Sequence, residues 1–131
     1  NSFMNLPLYQ TFWKNNVQFS VYNTRSTTKN SDSCLLFKCK QNEFNCGFIS
    51  AIIHESAQDC RLILHTVDIS SRDTLKLKNK QIINPFIFWG KMTNPTQLTT
   101  INVHDIIVKL AYSKSDEVFH FFRYPNIVES T

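Results

Sequence analysis

Residues 74–91, TLKLKNKQIINPFIFWGK, are the stretch that decides the fold. Leucine and lysine alternate through its first half, at Leu75, Lys76, Leu77, Lys78 and Lys80. Successive side chains of an extended chain point to opposite faces, so the alternation predicts a strand with one apolar face and one face of three ammonium groups. Residues 75–103 contain no Asp or Glu that could offset these lysines.

An aromatic cluster follows the lysines directly, with Phe86, Phe88 and Trp89 placed just after Pro85. A cationic strand that leads into aromatic side chains is typical of a surface that binds a polyanion. An ordinary half-buried strand with lysines along an exposed edge gives the same pattern. Both interpretations therefore stay open at the level of the sequence.

Turn-forming residues divide the rest of the chain into short apolar segments at a spacing of roughly ten residues, which is typical of small all-β domains. The clearest of these segments is 60–69, CRLILHTVDI. The further predicted strands are 17–22, 34–41, 44–54, 74–83 and 86–89. The predicted turns are 41–43, 56–59 and 70–73, and the predicted loops are 23–33 and 93–99. A short helix over 8–14 is also compatible with the pattern.

The segment 101–112 fits two structures. Its apolar residues have helical spacing, and Thr99 or Thr100 could cap the start of a helix. Alternatively, 106–112 and 118–124 form a hairpin around the turn 113–116. The content of β-branched and aromatic residues favours the hairpin.

These segments predict a mainly β protein, or an α+β protein with one or two short helices. We expect a small antiparallel barrel or sandwich, comparable in size with oligonucleotide-binding and pleckstrin-homology domains. A chain of 131 residues supplies one core, so we expect a single β-rich binding domain over 1–131. Because it begins with Asn1-Ser2, we expect that domain to be excised from a larger protein.

The net charge of +4 is unevenly distributed along the chain. Residues 14–40 carry five basic side chains against one acidic, and residues 74–104 carry four basic and none acidic. Between them, residues 41–73 carry two basic and five acidic side chains. If the two basic blocks are neighbours in space, they form one surface for nucleic acid or for an acidic partner.

Cysteine and catalytic signals are weak. Cys34, Cys39, Cys46 and Cys60 lack the paired Cys-x2-Cys spacing of zinc ribbons, so we predict no metal site and four reduced thiols, with a Cys39–Cys46 disulfide as the alternative. No N-glycosylation acceptor occurs, which favours a nuclear or cytoplasmic protein.

No nucleophile motif, metalloprotease motif or phosphate-binding glycine loop is present, so we expect neither an enzyme nor a cofactor. No run of 18 apolar residues predicts a membrane span.

Two functions agree with these observations. The first is binding of a partner protein or peptide within a larger assembly, through one aromatic row of the last strand. Its predicted residues are Phe119, Phe121, Arg123 and Tyr124. The alternative is binding of single-stranded DNA or RNA by a barrel of the oligonucleotide-binding kind. Its predicted residues are Lys76, Lys78, Lys80, Lys38, Lys40 and Arg25, which would contact phosphates, and Trp89 and Phe88, which would stack on bases.

Overall fold

The computed structural model describes residues 8–22, 32–40, 43–56 and 59–123. Within these ranges the chain is almost entirely antiparallel β-structure, and its one helical element is a 3₁₀ turn at Val103–Asp105. The strands are β1 Leu8–Tyr9, β2 Thr11–Lys14, β3 Val17–Ser20, β4 Cys34–Lys40, β5 Glu43–His54, β6 Cys60–Leu77, β7 Lys80–Met92, β8 Leu98–Asn102, β9 Ile106–Lys109, β10 Ala111–Ser115 and β11 Val118–Phe122. The prediction of a mainly β fold is confirmed.

The main sheet has the order β10-β11-β7-β6-β5-β4-β9, with β1 added beside β5 and β8 beside β6. Its two outermost strands, β9 and β10, are separated in the chain by Leu110 alone. The Leu110 N–H donates to the carbonyl oxygen of Cys34 on β4 at 3.0 Å. The segment 106–115 thus pairs with β4 through its first half and with β11 through its second. The sheet therefore curls until its two ends meet along this segment, as in a small antiparallel barrel.

Aromatic rings fill the inside of the curled sheet. Phe48 on β5 is fully buried, and its ring lies 5.1 Å from that of Tyr112 on β10 and 4.7 Å from that of Phe119 on β11. These rings touch across the interior because β5 and the pair β10–β11 lie on opposite sides of the curl. The buried members of this inner core are Cys34, Leu36, Cys46, Phe48, Val67, Phe88, Leu110, Phe119 and Phe121.

A second core lies on the other face of β4, β5 and β6, under the hairpin of β2 and β3. Its buried members are Phe12, Phe19, Leu35, Phe37, Ile49, Ile52, Cys60, Leu62, Leu64, Ile101 and Ile106. The ammonium group of Lys14 donates to the carbonyl oxygens of Val103 and Ile106, at 2.9 and 3.4 Å, and so links the hairpin to the 3₁₀ turn and the start of β9. Because β4 is covered on both faces, its first four residues form the uninterrupted apolar run CLLF.

Two predicted breaks are wrong, because the chain passes through them as strand. The predicted turn 70–73 lies inside β6, where the register shifts between Ile69 and Ser71 and again between Arg72 and Thr74. At the first shift Ser70 of β6 is the extra residue, and at the second Asp73 of β6 faces the four residues 84–87 of β7. Both are bulges, which bend a strand without ending it. Gly90 likewise lies inside β7, which continues to Met92. A Cβ atom at Gly90 would collide with the carbonyl oxygen of Asp68 on β6, so glycine allows the two strands to approach.

The prediction of one strand over 74–83 is also wrong. β6 ends at Leu77, Lys78 and Asn79 form a two-residue turn, and β7 begins at Lys80. Lys78 has a φ of 56°, in the left-handed region that lysine seldom adopts. The turn is hard to recognise in the sequence because it contains no glycine.

The prediction of a hairpin at the end of the chain is confirmed, but its turn is at Asp116 and Glu117 and not over 113–116, and the predicted first strand 106–112 is divided between β9 and β10. The alternative helix over 101–112 is wrong. β10 and β11 pair from Ala111 opposite Phe122 to Ser115 opposite Val118. The possible helix over 8–14 is also replaced by strands, β1 and β2. Of the predicted loop 23–33, only residues 32 and 33 lie within the described ranges.

Candidate nucleic-acid interface

A two-stranded arm projects from one end of the curled sheet. Among the described residues, β5 pairs with β6 only as far as Thr66, and β11 pairs with β7 only from Ile87 onward. Beyond those points β6 and β7 pair with each other, from Thr74 opposite Ile83 to Leu77 opposite Lys80. We call residues 74–83 the arm.

The three arm lysines are exposed and point in different directions. Lys76 lies opposite Gln81, Lys80 lies opposite Leu77 on the other face of the ribbon, and Lys78 is at the tip. The single lysine face that the alternation predicted is therefore wrong, because the turn at Lys78 places Lys80 on the returning strand. Within the described ranges, no carboxylate forms an ion pair with any of the three. The arm is thus cationic on all sides.

The end of β4 adds two more cations at the same end of the sheet. β4 and β6 run in the same direction because each is antiparallel to β5. The exposed Lys38 and Lys40 therefore lie toward the end from which the arm projects. The guanidinium carbon of Arg72, at the base of the arm, is 5.9 Å from the centre of the Phe88 ring. We call this region, the arm with Arg72, Lys38 and Lys40, the basic end.

Two carboxylates also belong to the basic end, and one of them is already engaged. Asp73 accepts a hydrogen bond from the Asn84 amide at 3.2 Å. Glu43 is exposed and lies opposite Lys40 in the β4–β5 register. Six basic side chains thus face two acidic ones here, which gives this end a positive potential. The last predicted phosphate contact, Arg25, lies outside the described residues.

The two aromatic residues predicted to stack on bases have different positions. Phe88 is buried inside the barrel and packs against Phe121 with ring centres 5.2 Å apart, so it cannot receive a base. Trp89 points outward and is partly exposed, next to His120 on β11. Their ring centres are 6.0 Å apart. Phe122, two residues along β11 from His120, is 38% exposed on the same outer face.

Two of the four residues predicted to bind a partner protein are interior. Phe119 and Phe121 are buried in the inner core, where their rings stack with centres 6.0 Å apart. Arg123 is half-buried just after β11, and Tyr124 lies outside the described residues. The alternation over 118–123 was recognised in the sequence, but it could not tell which aromatic row faces inward. The outward row contains His120 and Phe122, which sequence reasoning did not select.

The cysteines do not supply a nucleophile inside the barrel. All four are free, and Cys39 is exposed while Cys46 is interior, so the alternative Cys39–Cys46 disulfide is not formed. Burial raises the pKa of the Cys46 thiol to about 12 and raises that of Cys34 well above its ordinary value. Both thiols are therefore neutral near pH 7, and the neutral thiol is a poor nucleophile.

Three further findings concern function. In the part of the chain that the structure describes, no group of three or more His, Cys, Asp or Glu side chains is placed to hold a metal ion. No helix in those ranges is both long enough and apolar enough to cross a membrane. Comparison of the chain with protein-family models, with curated proteins and with solved structures finds no match.

Proposed function

We propose that this chain is a non-catalytic nucleic-acid-binding module whose basic end contacts the phosphate backbone. The observation that carries the proposal is the arm, which projects from the barrel with lysines on both faces and at the tip. Both strands of the arm are edges, where lysines can also prevent pairing with another chain, and the salt titration below separates that role from phosphate binding. Lys38 and Lys40 extend the same positive surface onto the barrel.

Binding of a partner protein through the last strand has less support. Two of its four predicted contacts, Phe119 and Phe121, are buried in the inner core and have no surface to offer. An acidic polypeptide would still complement the basic end, and charge alone does not separate it from nucleic acid. Competition by poly-glutamate distinguishes an acidic polypeptide from nucleic acid.

Contacts with phosphates predict a specific dependence on salt. Each phosphate neutralised by a cation releases condensed counterions, so log K falls with log salt by roughly 0.7 per contact on a single strand. With three arm lysines and two on β4 in contact, the slope would be about −3 to −4. We expect fluorescence anisotropy of a labelled fifteen-nucleotide oligothymidylate, titrated between about 25 and 200 mM salt, to show a slope of this size.

Two single charge reversals form a matched pair for this titration. Lys78→Glu places an acidic side chain at the tip of the arm, and Arg61→Glu places one at the start of β6, at the end of the barrel remote from the arm. We expect Lys78→Glu to weaken binding by roughly five- to tenfold and to flatten the slope by about 0.7, because one phosphate contact is lost. Arg61→Glu makes the same change in net charge and is expected to alter affinity less than about twofold.

Equal losses in the two variants would contradict a localised interface, because net charge alone would then explain the binding. No anisotropy change at the lowest salt concentration would remove the nucleic-acid proposal altogether. Efficient competition by poly-glutamate at equal charge concentration would also contradict it and would favour an acidic polypeptide as the partner.

A further inference from the structure

We infer that the outer face of β7 and β11 stacks unpaired bases, so that the nucleic acid held by the basic end is single-stranded. This inference rests on the proposed function and names the class of its ligand. The stacking surface consists of Trp89 and Phe122, with His120 between them, and we call it the aromatic face. It lies beside the base of the arm, because Ser71, which is opposite Trp89, is only three residues before Thr74, where the arm begins.

Register places these rings on one surface. Trp89 lies opposite His120, and the next outward pair along the two strands is Ile87 opposite Phe122. The alternate residues Phe88 and Phe121 form the inward pair and are buried. The aromatic face is thus held in position from behind by a packed core, which limits the ordering that binding requires.

The residues that flank the aromatic face leave its rings accessible. Trp89 has Ser71 as its neighbour on β6, and on β10 His120 has Ser113 and Phe122 has Ala111. These three neighbours are small, so they do not cover the rings from the side. Bases in a duplex already stack on one another, whereas an unpaired base has a free π-face that can lie on an aromatic ring.

Charge complementarity decides between a nucleic-acid strand and a purely apolar occupant of the aromatic face. A strand whose bases lie on Trp89 has phosphates within reach of the arm, while an apolar peptide would leave the lysines unmatched. Lys80 and Trp89 lie opposite Leu77 and Ser71, which are six residues apart on β6, so about 20 Å of ribbon separates them at ~3.3 Å per residue. A stacked single strand covers that distance with roughly six nucleotides at 3.4 Å per step.

The two tryptophans of the chain make the test direct. Trp13, on β2, is 65% exposed, so we expect Trp13→Phe to leave the fold intact and to make Trp89 the sole tryptophan emitter. In this variant, we expect a fifteen-nucleotide oligothymidylate to quench the Trp89 emission. The quenching should saturate at the same oligonucleotide concentration as the change in anisotropy. Inorganic polyphosphate should bind the lysines without quenching, because it has no bases. A duplex of fifteen base pairs is expected to leave the emission unchanged, because its bases are already stacked on one another.

Removing an aromatic ring should weaken the binding of bases and leave the binding of phosphates unchanged. We expect Trp89→Leu and Phe122→Ala each to weaken oligothymidylate binding by roughly tenfold while the salt slope and the affinity for polyphosphate stay unchanged. Because Trp89 is partly buried, Phe122→Ala is the variant with less risk to the fold. Leu98→Ala is its control, since it removes an exposed apolar side chain from β8, away from the aromatic face.

Failure of this inference can be told apart from failure of the proposed function. Equal binding of oligothymidylate, duplex and polyphosphate without quenching would overturn the aromatic face and leave phosphate binding by the basic end in place. The same is true if Phe122→Ala binds like Leu98→Ala. If none of the three polyanions binds at low salt, the proposed function itself is overturned.

Discussion

Replacing Phe48 with alanine is expected to lower the free energy of unfolding by about 3–5 kcal/mol, the usual cost of truncating a fully buried phenylalanine. A small domain has only roughly 5–15 kcal/mol of stability, so this variant should be unfolded at much lower urea concentration than the parent chain. Equilibrium urea unfolding followed by circular dichroism measures the difference.

The size of this effect follows from the closure of the sheet. The Phe48 side chain comes from β5, yet its ring contacts Tyr22, which precedes β4, and Tyr112, Phe119 and Phe121 from β10 and β11. Alanine would leave a cavity in the middle of the barrel, bordered by rings that are held in place by their own strands. Such rings cannot collapse into the space, so the cavity adds to the loss of apolar burial.

Phe44 provides the matched control. It lies on the same strand, four residues earlier, but 55% of its surface is exposed. We expect Phe44→Ala to change the free energy of unfolding by less than about 0.5 kcal/mol. Equal costs for Phe44→Ala and Phe48→Ala would contradict a curled sheet with Phe48 at its centre.

The triple variant Lys76→Glu/Lys78→Glu/Lys80→Glu is expected to lose at least about 100-fold in affinity for a fifteen-nucleotide oligothymidylate at roughly 50 mM salt. Three phosphate contacts become three repulsions, and the slope of log K against log salt should flatten by about 2. The anisotropy titration used for the parent chain measures both quantities.

The fold should survive this triple change, because the arm projects beyond the barrel and its three lysines are exposed. Urea unfolding of the variant is therefore expected to match that of the parent chain. Lys76→Arg/Lys78→Arg/Lys80→Arg keeps the charge and should keep the affinity and the salt slope. A glutamate variant that binds within about threefold of the parent chain would contradict contact between the arm and phosphates.

The segments buried on both faces could be predicted from the sequence. The apolar run CLLF of β4, the core of β5 and the first ten residues of β6 are short apolar segments bounded by turn residues, which favours strand over helix. The hairpin of β10 and β11 was also predictable, because its β-branched and aromatic residues outweigh the helical spacing before it.

The bulges and the arm could not be predicted in the same way. Ser70 and Asp73 look like turn residues, but pairing with β7 before and after them keeps β6 extended. The turn at Lys78 lacks the glycine that usually supplies a positive φ, so the alternating pattern hid a reversal of the chain. In the sequence, Gly90 suggests the end of a strand. In the structure, glycine is needed there because the backbone of Asp68 lies too close for a Cβ atom.

Part of the candidate site could be predicted from the sequence. The basic residues Lys76, Lys78 and Lys80 could be selected from their spacing and from the lack of nearby acids, but their distribution around the arm depends on the turn. The aromatic residues could not be assigned to the core or to the surface, because the alternation along a strand gives two rows of side chains and does not show which row is interior. Only the pairing of β11 with β7 assigns Phe121 to the core and Phe122 to the surface.

The most direct test of a basic end that holds nucleic acid is a titration of the ¹⁵N-labelled chain with oligothymidylate, followed by amide chemical shifts. We expect the largest changes on residues 74–83, on Lys38 and Lys40, and on the indole N–H of Trp89. Changes confined to β2, β3 and β8, or none at low salt, would contradict binding at the basic end.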